Sequence, residues 1–271
     1  MLLETGEETG SPGLHKVAEQ HRDALTADVL IASDGPRLEA KRPMLYLGSR
    51  GTMNFALVLK YRAGGHHSGN WGGLLSNPAI VLANAIATIV DSRGRIKLEA
   101  LRAPQITNSV RHALADVALK DGPEPGTAID PDWGEPSLTP AERVFHSNTF
   151  EVLAWGAGNP AAPVDAIPPS AGAHCQIRFI AGSNWQNFIP TIRKHLDDNG
   201  FDMIGIESRE YVMHATSLSP DHPWAAWAGR WPTRAPASTA APRSRSARAG
   251  PFSASSRPRT RCGCPTATPS A

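Results

Sequence analysis

Two glutamates stand side by side at Glu7 and Glu8, inside GEETGS, near the start of a 271-residue chain. Such a pair is most often a solvated turn. It can also divide labour, one carboxylate holding a metal ion while its neighbour takes a proton from the metal-bound water. Further on, the apolar run LTADVLIAS ends at Asp34-Gly35. A lone Asp there is commonly a turn former, and at the C-terminal end of a parallel strand it is also a candidate ligand. The third feature is GGHHSGNWGG, where glycines on both sides of His66 and His67 let the backbone turn sharply and approach other groups closely. Taken alone these are loop histidines. In a site, a histidine so placed can hold a developing negative charge.

These residues need elements to position them. Residues 25–33 read as a buried strand of an α/β protein. Residues 50–63, RGTMNFALVLKYRA, alternate, with Met53, Phe55, Leu57, Leu59 and Tyr61 on one side and Asn54, Ala56, Val58 and Lys60 on the other. That pattern predicts a half-buried strand, here with an edge left open for a partner. After the glycine-rich loop, Asn77 caps a helix whose first residue is Pro78, with Ile80, Val81, Ile86, Ile89 and Val90 at helical spacing. SRG at 92–94 is a turn, RIKLEAL a short strand and residues 108–120 a second amphipathic helix. Residues 121–140, rich in Pro, Gly and Asp, form a surface excursion. FEVLAWGAG, AHCQIRFIAG and MIGIESREYVMHAT read as strands. NWQNFIPTIRKHLDDNG is a helix kinked by Pro190 and stopped by Gly200. From about 48 to 214 this order suits a two-layer module, helices on one face of a mostly antiparallel sheet, interrupting an α/β domain whose pieces are 1–47 and 215–230.

Composition narrows the function classes. No apolar run approaches the roughly 20 residues of a membrane helix, and no basic-then-apolar leader opens the chain. Cys175, Cys262 and Cys264 make no disulfide framework, which points to a reducing, cytoplasmic setting. From Trp231 to Ala271 there are seven arginines and no Asp, Glu or Lys, so the rest of the chain carries 20 basic against 25 acidic residues. An acidic body without an aromatic–basic face argues against nucleic acid as a partner. The tail cannot bury a core and reads as an out-of-frame stretch of a GC-rich gene.

In order along the chain, GEETGSPGL, an apolar run ending in SDG, a strand leading into GGHHSGNWGG and a helix, and VDAIPPSAGAHCQIRFIAG resemble the dinuclear zinc metallohydrolases. That family includes aminoacylase, carnosinase, carboxypeptidase G and acetylornithine deacetylase, and the likeness is to its carnosinase-like dipeptidase branch. The resemblance implies Glu7 as general base, Glu8 and Asp34 as zinc ligands, and His67, rather than His66, as the histidine that reaches a partner subunit's active site and steadies the oxyanion. It implies that Arg178 binds the substrate's carboxylate, which a guanidinium does bidentately. Asp165 stands where many relatives have Asn. It also implies a His-x-Asp ligand and a bridging Asp ahead of GEETGS, and a late histidine ligand, so the chain is expected to be truncated at both ends. The expectation is an α/β zinc-peptidase catalytic domain in fragments, carrying an inserted two-layer α+β dimerisation (lid) domain. It would form homodimers and act on peptides or N-acyl amino acids with two zinc ions, impaired as it stands. The alternative is a dimerisation module without catalysis.

Overall fold

A computed structural model of the chain describes residues 2–32, 44–119, 128–208 and 211–230, without the side chain of Glu8. Asp34 and the 231–271 tail lie outside the described residues. The strands are β1 (Gly48–Ser49), β2 (Gly51–Lys60), β3 (His66–His67), β4 (Thr149–Gly156), β5 (Ala166–Ile167), β6 (Ser170–Phe179), β7 (Gly205–Ser208) and β8 (Thr216–Ser217). The helices are α1 (Leu14–Gln20), α2 (Arg22–Leu25), α3 (Ser68–Trp71), α4 (Pro78–Ile89), α5 (Asn108–Leu114), α6 (Pro140–Phe145), α7 (Phe188–Asp198) and α8 (Pro223–Gly229). A first compact unit runs from Met1 to Ala228.

Its centre is a four-stranded antiparallel sheet in the order β4-β6-β2-β7. The alternation read in β2 is real: Met53, Phe55, Leu57 and Leu59 lie opposite Ile177, Cys175, Ala173 and Ala171 of β6. Directly opposed residues share a face. This face forms one core with Leu82, Ala85, Ile86 and Ile89 of α4 and Phe188, Ile192 and Leu196 of α7. The other face carries Thr52, Asn54, Gln176 and Arg178. Helices therefore cover one side of the sheet, as the two-layer expectation required.

Local signals set the helix ends. The Asn77 side chain accepts the Ala79 N–H at 3.0 Å, and Pro78 occupies the first turn, where its missing N–H costs no helical bond. Gly200 ends the α7 region at φ 75°, a left-handed conformation suited to glycine. Pro190 falls in the first turn of α7, which runs unbroken to Asp198, so no kink is needed there.

Several expectations fail. Residues 26–32 form no strand among the described residues, and Leu30 and Ile31 are 91% and 68% exposed. An apolar run becomes a strand only with a neighbour to satisfy its N–H and C=O groups, and none of the described residues pairs with it. RIKLEAL is a single bridge, Val90 to Ile96, followed by a 3-10 turn at Glu99–Leu101. The helix expected over 108–120 stops at Leu114 and buries nothing, so no packing carries it further. Ile80, counted on the apolar face of α4, is 61% exposed, while Leu82 and Ala85 do the packing. Most consequentially, β2 has no open edge: β6 and β7 flank it. The outer edges belong to β4 and β7, and β4 exposes Val152, Leu153 and Trp155.

Candidate functional site

The HHSG turn is built by pairing across long sequence distances. His66 and His67 pair with Ile167 and Ala166. The Ser68 N–H and hydroxyl both donate to the Asp165 carbonyl oxygen, at 2.9 and 3.2 Å. Asp165 thus shapes the turn through its backbone, whatever its side chain. His67 is exposed and caps α3: its Nδ1 accepts the Gly69 N–H at 3.1 Å. With Nδ1 accepting, a neutral imidazole carries its proton on Nε2, and that N–H faces outward as a donor. A Cβ on Gly69 would sit 2.8 Å from His67 Cε1, so glycine is required for this ring placement. His66 instead packs its ring edge-on to Trp71. Of the two histidines, His67 is the more exposed.

Arg178 lies on the helix-free face of the sheet, half-buried, between Thr52 on β2 and Thr149 on β4. Its Nε donates to Gln176 Oε1 at 3.0 Å, and Gln176 Nε2 donates to Asn54 Oδ1 at 2.9 Å. This relay holds the guanidinium by Nε, and its two terminal nitrogens have no hydrogen-bond partner among the described residues. Reading the sequence alone missed Gln176 and Asn54. Their signal was parity: each sits two residues from a site-face neighbour on its own strand.

His67 and Arg178 stand at opposite ends of the β2–β6 pair. The β3–β5 ribbon continues from the end where Lys60 meets Ser170, and Arg178 meets Thr52 at the other. Eight residues separate Ser170 from Arg178 along β6, a span of about 26 Å at the usual rise of a strand. Side chains at the two ends of β6 are too far apart to meet on one small ligand.

Of the amino-terminal candidates, Glu7 alone has a described side chain. Glu7 is exposed in a 3-10 turn, Glu7–Thr9, held by Thr9 Oγ1 donating to the Gly6 carbonyl oxygen at 2.9 Å. Helices α1 and α2 bury no residue. Among the described residues no group of three or more His, Cys, Asp or Glu side chains comes together to hold a metal ion. The side chains expected to hold zinc, those of Glu8 and Asp34, lie outside what is described. Cys175 offers no nucleophile: it is buried in the core, and burial pushes its thiol up to about 12.

An antiparallel sheet with helices on one face, a capped histidine turn and a tethered arginine on the bare face make up a two-layer α+β module. The family profile of the M20 peptidase dimerisation domain matches residues 47–203. That is more than half of the chain, and the chain belongs to this family. Among curated proteins it is similar to a beta-Ala-His dipeptidase of Rattus norvegicus, at 35% identity over 97 residues, 35% of this chain and 20% of the relative. A Cys-Gly metallodipeptidase of Saccharomyces cerevisiae is 29% identical over 97 residues, with the same shares. Among solved structures, human carnosine dipeptidase 1 matches with a TM-score of 0.62 at 20% identity, over 82% of this chain and 50% of that one. An M20 metallo-carboxypeptidase of Sulfolobus solfataricus matches at 0.59 and 24%, over 77% and 55%. These likenesses establish the fold. The chain spans about a fifth of the length of the curated relatives and about half that of the solved chains. No helix among the described residues is long and apolar enough to cross a membrane.

Proposed function

We propose that this chain is the lid and dimerisation part of a metal-dependent amide hydrolase acting on dipeptides or N-acyl amino acids, and that it orients substrate without completing catalysis alone. The observation that supports this is that Arg178 lies at one end of the β2–β6 pair, while His67 lies on the separate β3–β5 ribbon that adjoins its other end. If both serve one substrate, they come from two chains: Arg178 of one protomer takes the carboxylate, and His67 of the other donates Nε2–H to the oxygen that becomes negative as the amide is attacked. A dimer is then part of the active site. The exposed edge of β4, with Leu153 59% exposed, is the surface for that pairing. Glu7 remains our candidate general base and Glu8 and Asp34 our candidate zinc ligands, in a catalytic part that the described residues do not assemble. The free Cys175 agrees with a reducing, cytoplasmic setting. The second reading, a dimerisation module without any catalytic role, is favoured by the family match, which is to a dimerisation domain.

The two readings separate in a reconstituted protein. When this chain is extended with the flanking segments of a relative, zinc-dependent hydrolysis is expected. Glu7→Ala should abolish turnover with zinc retained, and Glu8→Ala should lose the metal. A metal-loaded reconstitution in which His67→Ala and Arg178→Ala leave kcat/KM unchanged would favour the second reading.

A further inference from the structure

A chain of hydrogen bonds joins the ends of α4 and α7, and the proposed function makes no use of it. On α4 the Thr88 hydroxyl donates its one proton to the Ala85 carbonyl oxygen, at 2.6 Å. It therefore accepts from the ring of His195 on α7, whose Nε2 lies 2.9 Å away. With the proton on Nε2, the neutral ring leaves Nδ1 as an acceptor, 3.4 Å from Asn199 Nδ2. The same amide nitrogen donates to the His195 carbonyl oxygen at 2.8 Å. Both amide protons of Asn199 are engaged, and the end of α7 is tied through His195 to α4.

Asn199 is exposed and is followed by Gly200, the one Asn-Gly pair in the sequence. Glycine has no Cβ to shield its backbone nitrogen from the asparagine's own side-chain carbon. The reaction open to such a pair needs only water. The Gly200 nitrogen bonds to Asn199 Cγ, the Cγ–Nδ2 bond breaks, and the proton of the attacking amide leaves with Nδ2 as ammonia. Water then opens the succinimide at Cγ, giving aspartate, or at the backbone carbon, giving isoaspartate. The folded backbone opposes the first step. At ψ 11° the Gly200 nitrogen eclipses the Asn199 nitrogen, whereas the ring closes only when it eclipses Cβ. Turning it would break the bonds from Gly200 N–H to the Asp197 carbonyl oxygen, at 3.2 Å, and from Phe201 N–H to that of Leu196, at 2.8 Å. The site therefore reacts when the last turn of α7 opens. An aspartate there has no N–H for His195, and its charge stands at the C-terminal end of a helix, where negative charge is unfavourable. Arg193 and Lys194 are already paired with Asp197 and Asp198.

We infer that Asn199 is a deamidation site gated by the Thr88–His195–Asn199 chain, and that its conversion irreversibly releases the end of α7 from α4.

The test follows intact mass and peptide maps of the full chain at mildly alkaline pH, beside a free peptide of residues 195–202. The chain should change from amide to acid at Asn199, roughly tenfold or more slowly than the peptide, because it waits on a local opening. Isoaspartyl methyltransferase should label the product. Thr88→Val removes the acceptor of His195 Nε2 and should speed conversion several-fold, with far-UV circular dichroism unchanged. His195→Leu breaks the same chain at its centre and should do likewise. Asn199→Asp, a stable copy of one product, should unfold a few degrees below the parent. A chain that stays unmodified while the peptide converts fully, in both accelerating variants as well, would overturn the inference. Conversion at the peptide's rate, or an unchanged rate in both variants, would overturn it too, because the hydrogen-bond chain would then be no gate. An Asn199→Asp variant as stable as the parent would refute the release of α7.

Discussion

Gly51 joins Arg50 to Thr52, and replacing it with alanine tests whether the register that carries Arg178 is as tight as it looks. A Cβ at this position would overlap the Phe179 ring and come within 2.7 Å of the Met213 carbonyl oxygen. Phe179 cannot easily yield. It is fully buried, stacked on Trp185 with centroids 6.2 Å apart and set edge-on to Phe188 at 5.8 Å. Overpacking of this kind costs about 1–3 kcal/mol. Restricting the unfolded chain by Gly→Ala returns about 0.4–1 kcal/mol. The net expectation is a loss of about 1–2 kcal/mol, a fall in Tm of roughly 2–8 °C for a unit of this size. Thermal and urea unfolding of Gly51→Ala measure it. Phe179→Leu makes room, so the double variant should be more stable than the sum of the two single losses implies, by about 1 kcal/mol. An unchanged Tm in Gly51→Ala, or strict additivity in the double variant, would refute the close packing of β2 on Phe179.

Three further outcomes are expected. Leu153→Lys, on the open edge of β4, should convert a dimer into a monomer by size-exclusion chromatography with light scattering, because a charge on an edge strand opposes edge pairing. Gln176→Leu removes the acceptor of Arg178 Nε and should weaken N-acetylalanine binding several-fold without unfolding the chain. Glu142 accepts the Thr139 N–H at 2.7 Å and Arg111 Nε at 2.9 Å, and those donors, the backbone one foremost, hold its carboxyl below the usual range. Its folded pKa being depressed, it stabilises above the unfolded value and loses that contribution as pH falls through the folded one. Urea unfolding from pH 6 to pH 3 should therefore show a smaller acid-induced loss in Glu142→Gln than in the parent.

What the sequence disclosed follows from the range of the interactions involved. The Asn77–Pro78 helix start and the Gly200 stop depend on neighbours within a turn, and both were readable. The alternation of Met53, Phe55, Leu57 and Leu59 identified a strand and its buried face. It did not reveal that β2 is interior, because the residues filling its second edge, Gly205–Ser208, come some 150 positions later. LTADVLIAS shows the converse error: a strand-like composition with no neighbour among the described residues. In the site, His67 and Arg178 were found through motifs. Gln176 and Asn54 look like ordinary polar strand residues until the β2–β6 register sets them opposite each other.

The central claim is that this chain grips the carboxylate end of an amide substrate but does not by itself cleave the amide. One NMR time course on a dipeptide mixed with the purified chain and excess zinc follows both events. The account predicts saturable shifts of the dipeptide's carboxyl-terminal resonances, lost in Arg178→Ala, with the peptide bond intact throughout. Steady, EDTA-sensitive release of free amino acids, or a dipeptide spectrum that never responds to the chain, would contradict it.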